Sequence, residues 1–405
     1  MIKIKGQYNE AIIYTNTIDE TTENQIKTLL DQEFTSNVQI RIMPDCHAGA
    51  GCVIGTTMTI KDKIVPNLVG VDIGCGMLCI NLGKEEIDLK QLDDFIKINI
   101  PSGMNVNEDI SKTNINIEDL RCFNELQKIT YLKKSIGSLG GGNHFIEIDE
   151  AKDKTKYLII HSGSRNLGKQ VAEIYQNKAI EYHQNKIFNK KEEIKKIIKQ
   201  YKEENKEKEI QNKIKEIASL DIKFNIPKEL CYLEGQYFDD YIYDMDICQK
   251  FAQENRMEIA NRILKHFNKD INDLTYFETI HNYINMNDMI LRKGSISAYN
   301  NELLLIPINM RDGCIIGKGK SNKEYNYSAP HGAGRLYSRG MANKLITLEH
   351  YKKSMEGIYS TSVTKETIDE SPFAYKPMES IIENIKDTVD IIEIIKPIYN
   401  FKATE

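Results

Sequence analysis

The sequence predicts a mixed fold of β-strands and α-helices in one continuous domain, with a charged helical hairpin inserted in it. Strand-like segments fill much of the first half of the 405 residues, and helical periodicity returns in long stretches further along. The chain holds only 9 Pro residues, and it has no low-complexity linker and no repeat of 20–50 residues. We therefore expect a single domain over 1–405 with a charged helical insertion over 183–220.

Short runs that alternate or are rich in β-branched residues predict strands in the first half of the chain. These strands are expected at 3–5, 11–15, 55–60, 63–65, 145–148 and 157–160. Apolar residues at helical spacing predict helices at 86–100, 117–134 and from about 168 to 182. A glycine-rich turn at 135–144 leads into the strand at 145–148.

Residues 186–216 change in character, because they hold 11 Lys and 7 Glu with isoleucines at roughly helical spacing. A protruding helical hairpin with one apolar stripe explains this pattern, and a basic arm that touches the RNA backbone is the alternative. Beyond it, 244–267 predicts an amphipathic helix. Strands are expected near 289–318, and helices near 336–355 and 378–395.

Composition excludes several classes of protein. The longest uncharged apolar stretch, 73–82, is half the roughly 20 residues that cross a bilayer, and the first ten residues contain no long apolar run typical of a signal peptide. The 8 Cys include no C-x-x-C pair and are interpreted as reduced thiols of a cytoplasmic protein. The net charge of −5 means that any nucleic-acid site must be a local basic groove.

The common catalytic and nucleotide-binding motifs are absent from the sequence. It contains no G-x-G-x-x-G, no H-E-x-x-H and no G-x-S-x-G. The segment 314–321 nearly matches a P-loop, but Cys314 stands where that loop requires its first Gly, so we reject it.

Six other segments concentrate the reactive side chains. Five of them pair such side chains with glycine, and the sixth, 281–283, has none. The five lie at 43–51, 69–76, 137–147, 161–165 and 328–335. Five of the 8 His fall in these six segments, at positions 47, 144, 161, 281 and 331. This concentration favours a functional site over unrelated core histidines.

Asp72 and Cys75 are three positions apart on a glycine-interrupted turn, and His144, His161 and His281 supply imidazoles. A carboxylate, a thiolate and imidazoles suit borderline divalent metals, zinc included, and a thiolate can also bridge two ions for phosphoryl chemistry. Glycines beside these residues leave backbone N–H groups free for phosphate oxygens. Arginines in the same segments can clamp a phosphate with two hydrogen bonds.

His331 differs from the other histidines, because Pro precedes it and Gly-Ala-Gly-Arg follows it. This context predicts a tight exposed turn beside an anion site. An imidazole there can attack a nucleotide α-phosphate and form a phosphoramidate. From the residues alone, a ligand or core role and a nucleophile role both stay open.

Taken together, these segments resemble the RtcB family of RNA-splicing ligases, in the family's order and over nearly the whole chain from 43 onwards. The motifs that carry the resemblance are GVDIGCGM, GxxGGGNHFIE, HSGSR, HNY, RKGxxSA, HGAGRxxSR and the closing KPIYNFK at 396–402. The resemblance implies an α+β fold of packed β-sheets surrounded by helices. It also implies a GTP- and Mn²⁺-dependent ligase that joins RNA 3′-phosphate or 2′,3′-cyclic phosphate ends to 5′-hydroxyl ends.

The resemblance implies a role for each motif residue. The ligands of two Mn²⁺ ions would be Asp72, Cys75, His144, His161 and His281, and His331 would be the guanylylated histidine. The GTP contacts would be Asn143, Phe145, Glu147, Asn309, Gly332, Ala333, Gly334 and Lys402. Asp45 would support the site, while Arg165, Arg335 and Arg339 are candidates for RNA phosphate contacts.

The chain departs from the family pattern where many members read P-G-S-M-G, because it reads P-I-N-M-R at 307–311. Asn309 thus replaces a Ser that would contact the nucleotide, and Ala403 replaces the closing Gly. The variant resembles a branch associated with RNA repair, and a monomer with an activating or release-factor-like partner protein is expected. A metal-dependent RNA-end phosphatase or phosphodiesterase and a non-catalytic RNA-end-binding protein are the alternatives.

Overall fold

The computed structural model describes residues 1–220 and 222–403 and has the predicted α+β architecture, in which helices surround two large sheets. The strands are β1 (Ile2–Lys5), β2 (Glu10–Ile13), β3 (Ile40–His47), β4 (Ile54–Thr59), β5 (Lys63–Ile64), β6 (Gly76–Gly83), β7 (Phe145–Glu150), β8 (Lys156–Ser162), β9 (Leu233–Glu234), β10 (Tyr276–Ile280), β11 (Asn282–Asn285), β12 (Ile290–Lys293), β13 (Ser295–Ser297), β14 (Leu303–Asn309), β15 (Gly313–Gly319), β16 (Ser328–Pro330) and β17 (Val389–Lys402). The helices are α1 (Glu20–Leu30), α2 (Pro66–Val69), α3 (Leu89–Asn99), α4 (Ile129–Lys133), α5 (Arg165–Ile187), α6 (Lys190–Glu203), α7 (Ile210–Ser219), α8 (Gln236–His266), α9 (Arg339–Leu345), α10 (Leu348–Ser354) and α11 (Met378–Ile385).

The first large sheet has the strand order β1-β2-β3-β4-β12-β11. Its pairs are antiparallel except for β2 with β3, which run parallel. The predicted strands at 55–60 and 63–65 both form, but they belong to different sheets, since β5 pairs with β9. The first large sheet carries Asp45 and His47 near the end of β3.

The second large sheet has the order β10-β6-β8-β7-β17-β15-β14 and builds most of the site. Side chains alternate between its two faces along each strand. On one face, Ile146, Ile148 and Ile160 pack with Ile259 and Ile263 of α8 in an apolar core. The opposite face therefore carries the odd-numbered residues of β7 and β8, among them Glu147, Asp149 and His161.

The strand register places four residues in one row across the second sheet. Met77 and Phe145 both pair with His161, and Lys402 pairs with Phe145. Since residues that are directly paired share a face, positions far apart in the sequence meet on the surface opposite α8. The sheet thus brings the segments 137–147, 161–165 and 396–402 together.

The predicted helix over 117–134 is wrong as a continuous element. Two short 3₁₀ turns and the five-residue α4 replace it. The Asp244 carboxylate of α8 accepts hydrogen bonds from the backbone N–H groups of Arg121 at 2.7 Å and Cys122 at 3.0 Å. These two N–H groups are therefore not available for the hydrogen bonds of a helix. Further along, Lys128 has a left-handed backbone conformation with φ of 54°, which also interrupts a continuous helix.

The predicted helix over 378–395 is wrong in its second half. Helix α11 ends at Ile385, and the 14 residues of β17 follow it. Pro397 lies within this segment and cannot donate the backbone hydrogen bond that a helix needs. Strand β17 lies between β15 and β7, and its β-branched residues before Pro397 pair with β15. This strand pairing outweighs the apolar spacing that predicted a helix.

The charged segment 183–220 contains the end of α5, then α6 and α7, which pack against each other. Lys190 donates hydrogen bonds to the carbonyl oxygens of Ala218 and Leu220, which ties the two ends of this segment together. That the segment is an insertion in one catalytic domain stays a prediction. None of the helices in the described part of the chain is long and apolar enough to cross a membrane.

Candidate active site

Cys75, His144 and His161 form a buried cluster in which one ligand atom from each residue lies within 4.8 Å of the others. The Cys75 Sγ atom is 3.4 Å from His144 Nε2 and 3.3 Å from His161 Nε2. Cys75 directly precedes β6, His144 directly precedes β7, and His161 lies in β8. The pairing of these three strands thus creates the cluster.

Backbone carbonyls determine which nitrogen of each imidazole carries the proton. His144 Nδ1 is 2.8 Å from the carbonyl oxygen of Leu139, and His161 Nδ1 is 3.2 Å from that of Asn143. A carbonyl oxygen only accepts hydrogen bonds, so Nδ1 donates in both rings and each Nε2 faces Cys75. Imidazole nitrogens that converge on a buried thiol, with Nδ1–H bound to a carbonyl, are typical of metal ligands.

Asp72 and His281 extend the cluster on two sides. Asp72 Oδ2 is 3.2 Å from His144 Nε2, and its Oδ1 accepts hydrogen bonds from the backbone N–H and hydroxyl of Ser164. A Cβ atom at Gly163 would lie 2.2 Å from Asp72 Oδ2, so only glycine fits there. His281 Nδ1 is buried and has no hydrogen-bond partner among the described residues, which leaves it free for a ligand.

Burial controls the protonation of these groups. It is the largest cause that lowers the pKa of His161 and of His281 well below the usual value, and neighbouring imidazoles add to it. Both rings are therefore neutral near pH 7, which is the form that binds metals. Burial, and next the charge of Asp72, raise the pKa of the Cys75 thiol. The protein alone thus disfavours the thiolate, which a cation would stabilise.

His331 lies beside this cluster, directly after β16, and its ring centroid is 4.9 Å from that of His281. His331 Nδ1 is 2.7 Å from Asp45 Oδ2, and its backbone N–H donates to the same oxygen at 3.2 Å. Since a carboxylate only accepts, Nδ1 is protonated and Nε2 keeps its lone pair. The sequence predicted an exposed turn, but the His331 side chain is only 19% exposed.

The candidate nucleotide residues line one cavity of about 290 Å³ that also contains His331 and His161. They reach it from β7, from β14, from the loop after β16 and from β17. The candidates that line it are Asn143, Phe145, Glu147, Asn309, Gly332, Ala333, Gly334 and Lys402. A Cβ atom at Gly334 would lie 2.4 Å from the carbonyl oxygen of Asp45, so the loop passes β3 too closely for any other residue.

Glu147 is nearly fully buried at the inner end of this cavity, 3% exposed. Burial, and next the charge of Asp149, raise the pKa of its carboxyl group, while Lys402 and a hydrogen bond from Asn400 lower it. Asp149 is fully buried, and neither of its carboxyl oxygens has a hydrogen-bond partner among the described residues. Glu147, Asp149 and Cys314 place ligand atoms within 4.8 Å of one another.

Asn309, the residue that departs from the family pattern, stabilises its own turn. Its Oδ1 accepts the backbone N–H groups of Arg311 at 3.0 Å and Asp312 at 2.9 Å, and its Nδ2 donates to Asp312 Oδ2 at 2.8 Å. The side chain therefore organises the connection between β14 and β15 at the rim of the cavity.

The three candidate phosphate arginines occupy different positions. Arg165 donates to Ser138 Oγ and to the carbonyl oxygen of Gly103, so its guanidinium supports the glycine-rich loop next to the cluster. Arg335 and Arg339 line the cavity, at 3.0 Å from Glu370 Oε1 and 3.5 Å from Asp369 Oδ2 respectively. All three thus have protein partners, and their contact with RNA phosphate stays a prediction.

The sequence analysis missed Tyr375, which lines the cavity, and Glu370, which pairs with the cavity residue Lys402. Glu370 pairs with Lys402 at 2.5 Å and accepts from the Tyr375 hydroxyl at 2.6 Å. Burial alone would raise the pKa of Glu370, but Lys402 and Arg335 lower it to about 2. The surrounding segment contains no glycine or histidine that could have marked it.

Comparison with known proteins bears on this site. The family described as tRNA-splicing ligase RtcB matches the chain over residues 34–131 and 123–403. The RNA-splicing ligase RtcB of Escherichia coli strain K12 is 28% identical over 402 aligned positions, which cover 90% of each chain. The tRNA-splicing ligases RtcB of Aeropyrum pernix and Methanococcus maripaludis are each 26% identical, with 92% and 87% of this chain and 90% and 85% of theirs covered. The matched ranges contain every candidate residue from Asp45 to Lys402.

Proposed function

We propose, from the premise that the chain belongs to the RtcB family and is an RNA ligase, that it joins RNA ends of one defined chemistry. One end carries a 3′-phosphate or a 2′,3′-cyclic phosphate, and the other carries a 5′-hydroxyl. GTP supplies a guanylyl group that passes through His331 to the 3′-phosphate, which gives an RNA-(3′)pp(5′)G intermediate. The proposed setting is RNA repair or tRNA splicing.

The observation that carries this proposal is the position of His331 between Asp45 and the Cys75 cluster. The 2.7 Å contact with Asp45 Oδ2 keeps the proton on Nδ1 and leaves the Nε2 lone pair for attack on phosphorus. The Asp45 carboxylate also stabilises the positive charge that develops on the ring as the P–N bond forms. An enzyme that only hydrolyses RNA ends needs no such nucleophile.

The guanine end of GTP is proposed to lie at Glu147 and Lys402, at the inner end of the cavity. Guanine presents adjacent N–H donors on one edge, and an ionised carboxylate accepts both. Phe145 offers an apolar face beside them, and its ring contacts His161 with the centroids 5.2 Å apart. Asn143 and the loop 332–334 line the same cavity nearer to His331 and are proposed to contact the rest of the nucleotide.

The proposed metal site consists of Asp72, Cys75, His144, His161 and His281, which would hold two Mn²⁺ ions. The donor set fits, because two imidazole nitrogens lie 3.3 and 3.4 Å from one buried thiol and a carboxylate oxygen lies 3.2 Å from one of them. When bound, such ions polarise phosphoryl oxygens and neutralise a departing pyrophosphate. A cluster that can bind a metal is present in the structure, while its occupation by manganese is part of the proposal.

The proposed reaction has four steps. Water opens a cyclic phosphate to the 3′-phosphate, and His331 Nε2 attacks the α-phosphate of GTP with release of pyrophosphate. The RNA 3′-phosphate then takes GMP from His331, and the 5′-hydroxyl attacks the activated phosphorus with release of GMP. His331 is the nucleophile in the attack on GTP and the leaving group in the transfer of GMP, and it is not needed in the first and last steps.

The proposal is tested with GTP radiolabelled at its α-phosphate in the presence of Mn²⁺. Wild-type protein is expected to gain an acid-labile covalent label and to seal 3′-phosphate ends to 5′-hydroxyl ends. The His331→Ala variant is expected to lose both and to retain Mn²⁺ binding. His350→Ala is the matched control, because His350 is an exposed histidine on α10.

A His331→Ala enzyme that still seals these ends would refute the proposed nucleophile. Cleavage of cyclic ends without any GTP-dependent product, in wild-type protein, would instead favour the phosphodiesterase alternative. A monomeric state, a cytoplasmic location and an activating or release-factor-like partner belong to the same proposal. They rest on the family resemblance, and sedimentation and affinity capture with the intact chain would test the first and last.

A further inference from the structure

His47 lies in the same cavity as His331 and has no role in the reaction described above. It is the last residue of β3, and its ring lines the cavity together with His161 and His331. The sequence analysis counted it among the clustered histidines without assigning it a function. The inference below rests on the proposed function and adds a residue to it.

The protonation of His47 follows from one contact. Its Nδ1 is 3.0 Å from the carbonyl oxygen of Asp45, which can only accept, so Nδ1 carries the hydrogen and Nε2 has the lone pair. Asp45 therefore orients two imidazoles, His331 through its carboxylate and His47 through its backbone. Both rings present Nε2 as the basic nitrogen, while the Nε2 atoms of His144 and His161 face Cys75.

The charged and titratable groups around His47 keep it neutral. Burial is the largest cause that lowers its pKa, the Asp45 carbonyl and carboxylate oppose it, and His331 and Lys376 lower it further. Lys376 approaches from the other side of β3, where it donates to the carbonyl oxygens of Pro44 and Cys46. His47 is thus a base at the pH where the ligase acts.

The reaction needs such a base in some steps and not in others. His331 attacks through a lone pair that is already free, so guanylylation requires no deprotonation. Water and the RNA 5′-hydroxyl are poor nucleophiles until they lose a proton. Two of the proposed steps therefore call for a proton acceptor in the cavity, and they are the steps with an oxygen nucleophile.

We propose that His47 Nε2 accepts the proton of the attacking hydroxyl in both oxygen-nucleophile steps. In sealing, the bond from O5′ to phosphorus forms, the bond from that phosphorus to GMP breaks, and the proton moves from O5′ to Nε2 and then to solvent. In the opening of a cyclic phosphate, the proton that water gives to Nε2 passes to the departing 2′-oxygen. No oxidant, reductant or further reactant is needed.

The test uses full-length His47→Asn, His47→Ala and the His350→Ala control. Asn retains an N–H that can donate to the Asp45 carbonyl, so it preserves the local structure and removes the base. Three rates are measured: covalent labelling from GTP, opening of a cyclic phosphate, and single-turnover sealing of a preformed RNA-(3′)pp(5′)G. The third assay bypasses His331 and separates this proposal from the nucleophile assignment.

We expect His47→Asn to take up the GMP label within about threefold of the wild-type rate, and to open and seal at least about 100-fold more slowly. Added imidazole is expected to restore part of the sealing rate of His47→Ala. Near-wild-type sealing of the preformed intermediate by His47→Asn would overturn the proposal. Equal loss of labelling and sealing would also overturn it, because it would indicate a structural role. Absence of label in wild-type protein would refute the proposed function and leave the sealing assay of His47 valid.

Discussion

Replacement of Asp45 by Asn tests the proposed role of Asp45 in preparing His331 as the nucleophile. Asp45 is fully buried, and its Oδ2 accepts from both His331 Nδ1 and the His331 backbone. If the Asn amide nitrogen faces Nδ1, the ring must accept there, and the proton moves to Nε2, where it blocks the nucleophile. If the amide oxygen faces Nδ1, the tautomer is kept and the negative charge is lost.

The size of the effect follows from these two orientations. A hydrogen bond to a charged group contributes about 1.5–3 kcal/mol, and each 1.4 kcal/mol is about a factor of ten, so loss of the charge alone slows labelling by about 10- to 100-fold. The reversed tautomer costs more, and the equivalent Asp→Asn change in a serine protease triad lowers kcat by about 10⁴. We therefore expect labelling to slow by about 10- to 10⁴-fold, depending on the orientation of the amide.

The assay is the rapid-quench rate of covalent labelling from GTP at saturating GTP and Mn²⁺. Mn²⁺ binding and the thermal unfolding temperature report whether the Asp45→Asn variant keeps its site and fold. Since His47 contacts only the backbone carbonyl of Asp45, sealing of preformed RNA-(3′)pp(5′)G should change far less than labelling. Labelling within threefold of the wild-type rate would refute the proposed action of Asp45.

Three further outcomes are expected from the same site and its surroundings. Cys75→Ala should abolish Mn²⁺ binding, guanylylation and ligation, whereas Cys122→Ala, also buried, should retain all three by metal analysis and labelling; substantial labelling by Cys75→Ala would contradict the metal site. Replacement of 190–219 by a short linker should weaken the binding of long RNA and flatten its salt dependence while guanylylation persists, and loss of guanylylation in a folded variant would argue against a separate RNA role. Burial and the charge of Asp149 raise the pKa of Glu147, so the KM for GTP should rise as the pH falls through that pKa and Glu147 becomes neutral. Asp149→Asn should move this rise in KM to lower pH. An unchanged pH profile in that variant would contradict the coupling between the two carboxyl groups.

The sequence predicted the α+β class and several residues that the fold brings together, and it was wrong about the extent of two helices. The glycine- and histidine-containing motifs identified Cys75, His144 and His161, because a site of this kind needs reactive side chains next to backbone segments that pack closely together. The contact between Asp45 and His331, 286 positions apart, agrees with the supporting role that the resemblance implied for Asp45. The strand register determines how these residues are arranged in space, and no local sequence pattern specifies that register.

Tertiary contacts account for what the sequence analysis missed. The carboxylate of Asp244 takes two backbone N–H groups of the segment 117–134, and nothing local predicts that loss of helix. The residues that became β17 have apolar positions compatible with either element, and the neighbouring strands decided between them. Glu370 belongs to a segment without motif residues, and its link to the cavity residue Lys402 is an ion pair that only the fold creates.

The central position of β17 has a consequence for how the chain folds. This strand must be inserted between β7 and β15, and the contact of Asn400 with Glu147 spans 253 positions. Contacts between residues so far apart in the sequence are slow to form, because the chain loses the conformational entropy of the closed loop before the contacts stabilise the folded state. An intermediate in which β17 is undocked lacks Lys402, a proposed GTP contact, in the cavity, so the proposed function predicts that it does not bind GTP as the native state does. GTP should therefore slow the unfolding of the native enzyme without accelerating its folding, since it recognises only the chain in which the last strand has docked.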